Sequence, residues 1–141
     1  MALPGGRRDV SDDDLRSTAL RETHEEVGIS LGDPIGRLDD VHGTRGLSRL
    51  GLVVSPFVFE IDPRHELRHS EEVQNSVWVP LPHLLDPSSA VHYRFERHGE
   101  LGTFPAIRYD RYTIWGLTYR ILGRFSELLG RELAGPGPHS E

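Results

Sequence analysis

Three carboxylates on one predicted helix constrain this chain more than any other feature. Glu22, Glu25 and Glu26 stand at positions i, i+3 and i+4, so on a helix they project from the same face. Three like charges on one face destabilise a helix slightly, and a divalent cation would remove that repulsion. Arg21 is placed to orient one of them through charge-assisted hydrogen bonds. The competing interpretation is a solvated acidic face held by ordinary ion pairs.

The ends of this helix are marked by residue type. The Pro4-Gly5-Gly6 run is typical of a loop. Ser11 or one of the aspartates 12–14 is expected to cap the helix, because their side-chain oxygens accept the free N–H groups of a first turn. Gly28 is expected to end it in the left-handed conformation.

The string that contains the glutamates resembles the Nudix box. Residues 21–29 read Arg-Glu-Thr-His-Glu-Glu-Val-Gly-Ile, and the core of that box reads R-E-U-x-E-E-x-G-U with U apolar. Thr23 departs from the pattern at the first apolar position. The general box also has a glutamate at a fixed distance from its glycine and its arginine. Counting forward from Gly6 reaches Asp12, whereas counting back from Arg21 reaches Asp13, so the spacing is one residue longer than in the general box and aspartate replaces glutamate.

Other segments are similar to the coenzyme A diphosphatase branch of the Nudix hydrolase family. That branch begins its box with P-G-G-x-x-D, which matches Pro4-Gly5-Gly6 and Asp9 and accounts for the longer spacing. The strings 54–58, 104–109 and 114–118 also resemble that branch. Because the last two lie far from the box, they support the resemblance independently.

The resemblance implies an α/β fold, namely a Nudix α/β/α sandwich with a mixed sheet. We expect a single domain at residues 1–133 and a disordered tail at 134–141, which is rich in Gly and Pro. Members of the branch place strands before the box, whereas here it begins at Leu3. The fold is therefore expected to be short at its N-terminus, and a homodimer that completes the sheet would satisfy the open strand edges.

Composition narrows the function classes. A length of 141 residues is typical of one domain, and the net charge of −6 argues against a nucleic-acid partner. The chain has no cysteine, so thiolate chemistry and disulfides are excluded. We also find no signal peptide and no run long enough for a membrane span. These observations predict a cytoplasmic protein that does not bind membranes.

Hydrophobic patterning predicts the remaining elements. Residues 35–41 and 50–61 are expected to be strands, with Pro56 marking an edge or a bulge. A short strand is expected at 77–81, followed by a short helix at 82–85. A hairpin is expected from 91–96 and 103–109. The last helix is expected at 111–129, capped by Asp110, because apolar residues from Ile114 onward repeat at helical spacing.

The resemblance assigns roles to individual residues. Mg²⁺ or Mn²⁺ is the expected cofactor, and a small nucleotide-type molecule is the expected partner. Arg21 would orient a glutamate, while Glu25 or Glu72 would accept the proton from the attacking water, with Glu71 as a rival to Glu72. Gly5 and Gly6 would let the backbone approach the substrate. The metal ligands would be Glu22, Glu25 and Glu26.

Three functions remain open on these grounds. The first is metal-dependent hydrolysis of the diphosphate linkage of coenzyme A or an acyl-CoA, which gives 3′,5′-ADP and 4′-phosphopantetheine. The second is the same chemistry on ADP-ribose or a dinucleoside polyphosphate. The third is a non-catalytic or truncated Nudix-fold module.

Overall fold

The computed structural model describes residues 1–45, 48–62 and 64–135. Within these residues the chain divides into two compact units. One comprises Leu3–Trp78, and the other comprises Met1–Ala2 with Val79–Glu141. Residues 136–141, most of the predicted disordered tail, lie outside the described residues. Ala134, where that tail was predicted to begin, is instead buried, and its N–H donates to the Leu84 carbonyl at 2.8 Å.

The first unit contains one helix and two small antiparallel sheets. Strand β1 pairs with β4, and β2 pairs with β3 with an irregularity between Gly43 and Thr44. In chain order the elements are α1 (Leu15–Val27), β1 (Gly36–Arg37), β2 (Val41–Arg45), β3 (Ser48–Val54) and β4 (Phe57–Val58).

Helix α1 begins and ends where its residue types predict. Asp14 is the N-cap, and its carboxylate accepts a hydrogen bond of 2.8 Å from the Ser17 backbone N–H. Gly28 follows the helix at φ 72°, in the left-handed region, and its N–H donates to the His24 carbonyl. A side chain at Gly28 would also meet Arg68, since an added Cβ would lie 2.9 Å from the Arg68 Cβ. Both predicted ends of the helix are confirmed.

The predicted strands of this unit are shorter than the apolar runs that suggested them. The run 35–41 contributes only β1 and the first residue of β2, because residues 38–40 form no strand. The run 50–61 is interrupted at residues 55–56, which separate β3 from β4. Pro56 has no N–H to donate to a ladder, which explains the interruption. The strand predicted at 77–81 is absent, and Trp78 in that segment is exposed.

The second unit is a three-stranded antiparallel sheet with two helices. The strand order is β5-β6-β7, and its apolar core brings together Leu84, Ile107, Ile114 and Ala134. Its elements are α2 (Leu81–Leu85), a 3₁₀ turn (Pro87–Ser89), β5 (Ala90–Arg97), β6 (Glu100–Tyr109), β7 (Tyr112–Ile114) and α3 (Gly116–Leu128).

The hairpin in this unit is confirmed, whereas the start of the last helix was placed too early. His98 and Gly99 both have positive φ and join β5 to β6 in a tight turn. Asp110 also has positive φ (51°) and turns the chain into β7 instead of capping a helix. Helix α3 therefore begins at Gly116, after Trp115. The helical spacing that includes Ile114 gave a helix start that is too early, because Ile114 is buried as a residue of strand β7.

All strand pairs in the described part of the chain are antiparallel. Together with the helices they agree with the α/β class. None of the helices described has the length and apolar character needed to cross a lipid bilayer.

Candidate active site

Arg21 is the centre of the charged network on α1. Its guanidinium donates to the Glu22 carboxylate and to the Glu25 carboxylate, both at 3.2 Å. It also donates to the Arg7 carbonyl at 3.2 Å. Its shortest contacts, however, go to Asp12. One side chain thus joins the loop before the helix to two of the three predicted metal ligands.

Asp12 anchors this arginine from a buried position. Two Arg21 nitrogens approach its two carboxylate oxygens at 2.9 Å, a bidentate geometry. The Asp9 N–H and the Thr18 hydroxyl also donate to it, at 2.8 and 2.9 Å. These donors, Arg21 first, hold the pKa of Asp12 well below its usual range. The same pairing raises the pKa of Arg21, so the network remains ionised throughout the physiological range.

Gly6 lies directly against Glu22. A Cβ added at Gly6 would stand 2.1 Å from Glu22 Oε1, whereas a Cβ added at Gly5 would meet nothing within 4 Å. Real atoms cannot approach that closely, so a side chain at position 6 would displace the Glu22 carboxylate. The requirement for glycine at position 6 therefore follows from the carboxylate beside it.

The surroundings of Glu26 shift its pKa in the opposite direction to that of Asp12. Partial burial raises its pKa, and a hydrogen bond from the Gly5 backbone offsets part of that rise. The neighbouring carboxylates of Glu22 and Glu72 raise the pKa further. Glu26 is therefore the member of the set that most lacks a compensating positive charge.

Glu72 reaches this group because its loop docks on the end of α1. The Arg68 N–H donates to the Val27 carbonyl at 2.8 Å, and the Ser70 N–H donates to the Glu26 carbonyl at 3.1 Å. These carbonyls have no partner within the helix, so the loop satisfies them. A turn closed by the Val73 N–H and the Ser70 carbonyl then carries Glu72. Glu22 and Glu72 thus lie close enough to Glu26 to raise its pKa. Glu71 stands on the same turn, and both Glu71 and Glu72 are exposed.

The carboxylates fit a hard cation by their chemistry more than by their present arrangement. Oxygen ligands and uncompensated negative charge are what Mg²⁺ and Mn²⁺ require. Glu25 turns instead toward Arg21, and its side chain is 57% exposed against 18% for Glu22. Among the residues that the structure describes, no three acidic or histidine side chains are already arranged to hold a metal ion. A bound cation would draw Glu25 away from Arg21, which Asp12 would continue to hold.

Comparison with protein families shows which family the chain belongs to. A model of the NUDIX domain matches residues 1–98, a segment that contains the whole network. The chain belongs to the Nudix family. The resemblance noted in its sequence is confirmed.

Individual relatives extend over most of this Nudix chain. The human mitochondrial coenzyme A diphosphatase NUDT8 is 32% identical over 121 residues, which cover 84% of this chain and 50% of the human protein. The Nudix hydrolase NudL of Photorhabdus laumondii is 31% identical over 130 residues, covering 90% of this chain and 67% of the bacterial protein. Protein C14C4.10c of Schizosaccharomyces pombe is 42% identical over 93 residues. The chain thus spans half the length of the human relative.

Within the Nudix box, Asp12 is the residue that our site prediction lacked. The forward count reached Asp12 and the backward count reached Asp13, and neither residue was assigned a role. The structure separates them, because Asp12 is buried against Arg21 whereas Asp13 is exposed. The forward count from Gly6 is the one that reaches the buried aspartate. Asp9 stabilises a local turn, since its carboxylate accepts hydrogen bonds from the Ser11 N–H and hydroxyl.

Proposed function

We propose that this Nudix chain hydrolyses a diphosphate linkage in a nucleoside diphosphate derivative, with coenzyme A or an acyl-CoA as the substrate. The observation that carries the proposal is the group of glutamates around Glu26, whose pKa is raised by burial and by neighbouring carboxylates. A fold gains no stability from such crowding, so a ligand of opposite charge is the natural reason for it. The substrate class rests on the resemblance of the box and the C-terminal strings, and on the human relative named a coenzyme A diphosphatase.

Glu22, Glu25 and Glu26 would hold Mg²⁺ or Mn²⁺ in this proposal. When bound, the cation would neutralise charge on the diphosphate oxygens and favour the transition state of phosphoryl transfer. Arg21 keeps the glutamates oriented while Asp12 holds its other edge. Gly6 allows the loop to lie against Glu22 without displacing its carboxylate.

The remaining chemistry is a balanced hydrolysis. A water oxygen attacks one phosphorus, the bond from that phosphorus to the bridging oxygen breaks, and the second phosphate leaves. We assign the proton of the attacking water to the Glu72 carboxylate, which lies beside Glu26 on a turn fixed to the helix end. Glu25 is the alternative acceptor, because it is exposed and its hydrogen bond to Arg21 is its only one among the described residues.

The experiment is hydrolysis of coenzyme A with Mg²⁺ or Mn²⁺, with the products separated by chromatography. We expect 3′,5′-ADP and 4′-phosphopantetheine, and a loss of rate of at least about 10²-fold in Glu25→Gln. Glu72→Gln is compared with Glu71→Gln, its exposed neighbour. An equal loss in both would remove Glu72 as the base.

Two other outcomes would redirect the proposal. Hydrolysis of ADP-ribose or a dinucleoside polyphosphate in preference to coenzyme A would keep the diphosphate chemistry and change the substrate. Turnover of none of these by a folded, metal-binding chain would instead support a non-catalytic Nudix module.

We further propose that residues 1–133 form one Nudix domain of the α/β/α sandwich type. Support comes from the family match over residues 1–98 and from relatives that align beyond it. The cytoplasm is the proposed compartment, although the human relative is named as mitochondrial. Cell fractionation with an antibody to this chain would distinguish the two.

A further inference from the structure

Strand β5 forms one edge of the sheet in the second unit. It pairs with β6 over all eight residues from Ala90 to Arg97 without a register shift. On its other side no strand is paired with it among the described residues. The opposite edge, β7, has only three residues. The β5 edge is thus the long and regular one, and unpaired backbone groups along such an edge are a template for another strand.

The β5 edge lacks the backbone features with which proteins usually protect an edge. It contains no proline, no glycine and no bulge. Among the β5 residues whose burial is described, the exposed charges are Arg94 and Glu96, two residues apart on one face. Charges of a single sign would repel a second copy, whereas this pair of opposite signs is complementary to itself.

Neither charge has an opposite charge across the strand pair inside the chain. Arg94 stands opposite Thr103, and Glu96 stands opposite Leu101. Neither forms an ion pair with any residue in the part of the chain that is described. Their charges are therefore available to an outside partner.

The opposite face of β5 is aromatic. The Tyr93 ring stacks on the Trp115 ring with centroids 4.2 Å apart, and the Phe95 ring lies 5.9 Å from it. Phe104, opposite Tyr93 on β6, extends this cluster and is 42% exposed. All four rings retain exposed surface. A strand added at the β5 edge would cover part of this apolar surface.

We propose that the β5 edge is a homodimer interface, in which β5 pairs antiparallel with β5 of a second copy around Phe95. In a twofold-symmetric antiparallel pair of identical strands, the residue numbers of two opposed residues always add up to the same total. Centring the axis on Phe95 places Arg94 opposite Glu96 of the second copy, twice by symmetry. Centring it on Arg94 would instead oppose the two arginines, which like-charge repulsion disfavours. Charge thus selects the register as well as the partner.

A charge-swap series measured by sedimentation equilibrium tests the proposal on the full chain. We expect reversible dimers, with the dissociation constant raised at least about tenfold by Arg94→Glu or by Glu96→Arg, because each places like charges opposite one another. The double substitution Arg94→Glu with Glu96→Arg should restore the original constant. The controls Arg124→Glu and Glu127→Arg make the same charge changes on the exposed face of α3 and should change nothing.

A cross-linking experiment tests the register directly. Because the chain has no cysteine, Phe95→Cys introduces a single thiol on the proposed axis. Opposed residues of an antiparallel pair lie within disulfide range, so mild oxidation should give a covalent dimer. Leu101→Cys is the control, since Leu101 is 80% exposed yet lies on β6. Monomers at all concentrations, failure of the double swap to restore the dimer, or equal cross-linking at both positions would overturn the proposal.

Discussion

Asp12 and Glu26 are two acids of the same site, and their surroundings act on them in opposite directions. Asp12 is almost fully buried but receives four hydrogen bonds, so its pKa is lowered. Glu26 is less buried, yet its pKa is raised, first by that partial burial and then by the neighbouring carboxylates of Glu22 and Glu72, because it lacks the donors that Asp12 has. Burial alone therefore does not decide which acid is stable as an anion.

The difference separates the acid that holds Arg21 in place from the acids that are left for a cation. The two shortest hydrogen bonds of Arg21 both go to the Asp12 carboxylate. Glu22 and Glu25 receive weaker contacts from the same arginine, and Glu26 receives none from it. The network is thus neutralised on one side and left negative on the other. A cation would complete the negative side, so the two regions should respond differently to substitution.

The largest effect is expected for Glu26→Gln, which should lower the rate of diphosphate hydrolysis by at least about 10²-fold. The same change should raise the Tm of the metal-free chain at pH 7. Because the folded pKa of Glu26 is raised above 4.5, the folded state binds its proton more tightly than the unfolded state. Stability of the native chain is therefore lost as pH rises through that pKa, and glutamine avoids the loss. Calorimetry without metal checks the sign.

The control for that stabilisation is Glu25→Gln, which removes one charge from the same face. Glu25 is exposed and paired with Arg21, so we expect it to lose activity without a gain in Tm. An equal rise in Tm for both variants would mean that overall negative charge, and not the crowding at Glu26, was relieved.

Asp12→Asn tests the other side of the comparison and should lower both stability and activity. The amide leaves Arg21 without its bidentate anion, so Arg21 no longer orients the glutamates; losses from such supporting residues are about 10–100-fold in rate. Stability measured by urea unfolding should also fall at pH 7. Asp13→Asn, an exposed neighbour, is the control and should resemble the native chain.

The pH dependence of the Asp12 effect has a definite sign. Its folded pKa is lowered below 3.8, so its contribution is fully present above pH 3.8 and is lost as pH falls through the folded pKa. The difference in unfolding free energy between the native chain and Asp12→Asn should therefore be constant from pH 7 to 5 and narrow below pH 3.8. A difference that narrows already between pH 7 and 5 would assign the effect to another group.

The ends of α1, the left-handed Gly28 and the hairpin around His98 could be predicted from the sequence because each is a local choice of residue type. The Nudix box could be predicted for the same reason, since its glutamates fall on one face by spacing alone. The predicted contact between Arg21 and a glutamate also requires nothing beyond one turn of helix.

The elements that sequence patterning misplaced depend on contacts between different segments of the chain. The start of α3 was placed at residue 111 because Ile114 fits a helical stripe, yet pairing with Ile107 makes it a strand residue. The choice between Asp12 and Asp13 required knowing how the loop folds back, which spacing does not reveal. Likewise, only the docking of Arg68 and Ser70 on the end of α1 shows that Glu72 approaches Glu26.

Gly6→Ala sharpens the comparison by moving one carboxylate without removing it. The added methyl group would collide with Glu22 Oε1, so the carboxylate must rotate away from Arg21 and Glu26. Because Glu22 has a flexible side chain, we expect folding to survive and the rate to fall by about tenfold, as for other supporting residues. Gly5→Ala is the matched control, since its added Cβ meets nothing within 4 Å. Equal losses in the two variants would show that the loop, and not the contact with Glu22, matters.

The smallest effect is the shift in Tm on adding Mg²⁺ or Mn²⁺. This shift tests whether a cation binds the group of glutamates around Glu26. A ligand present at about ten times its dissociation constant stabilises the native state by about 1.4 kcal/mol, which is a shift of a few degrees in Tm. Protons compete with the metal at Glu26, so the shift should shrink as pH is lowered toward 4.5 through the raised pKa. Glu26→Gln should abolish the shift, and Asp13→Asn should retain it. A shift that persists in Glu26→Gln at both pH 7 and pH 5 would place the cation elsewhere, and the contrast between Asp12 and Glu26 would then concern folding alone.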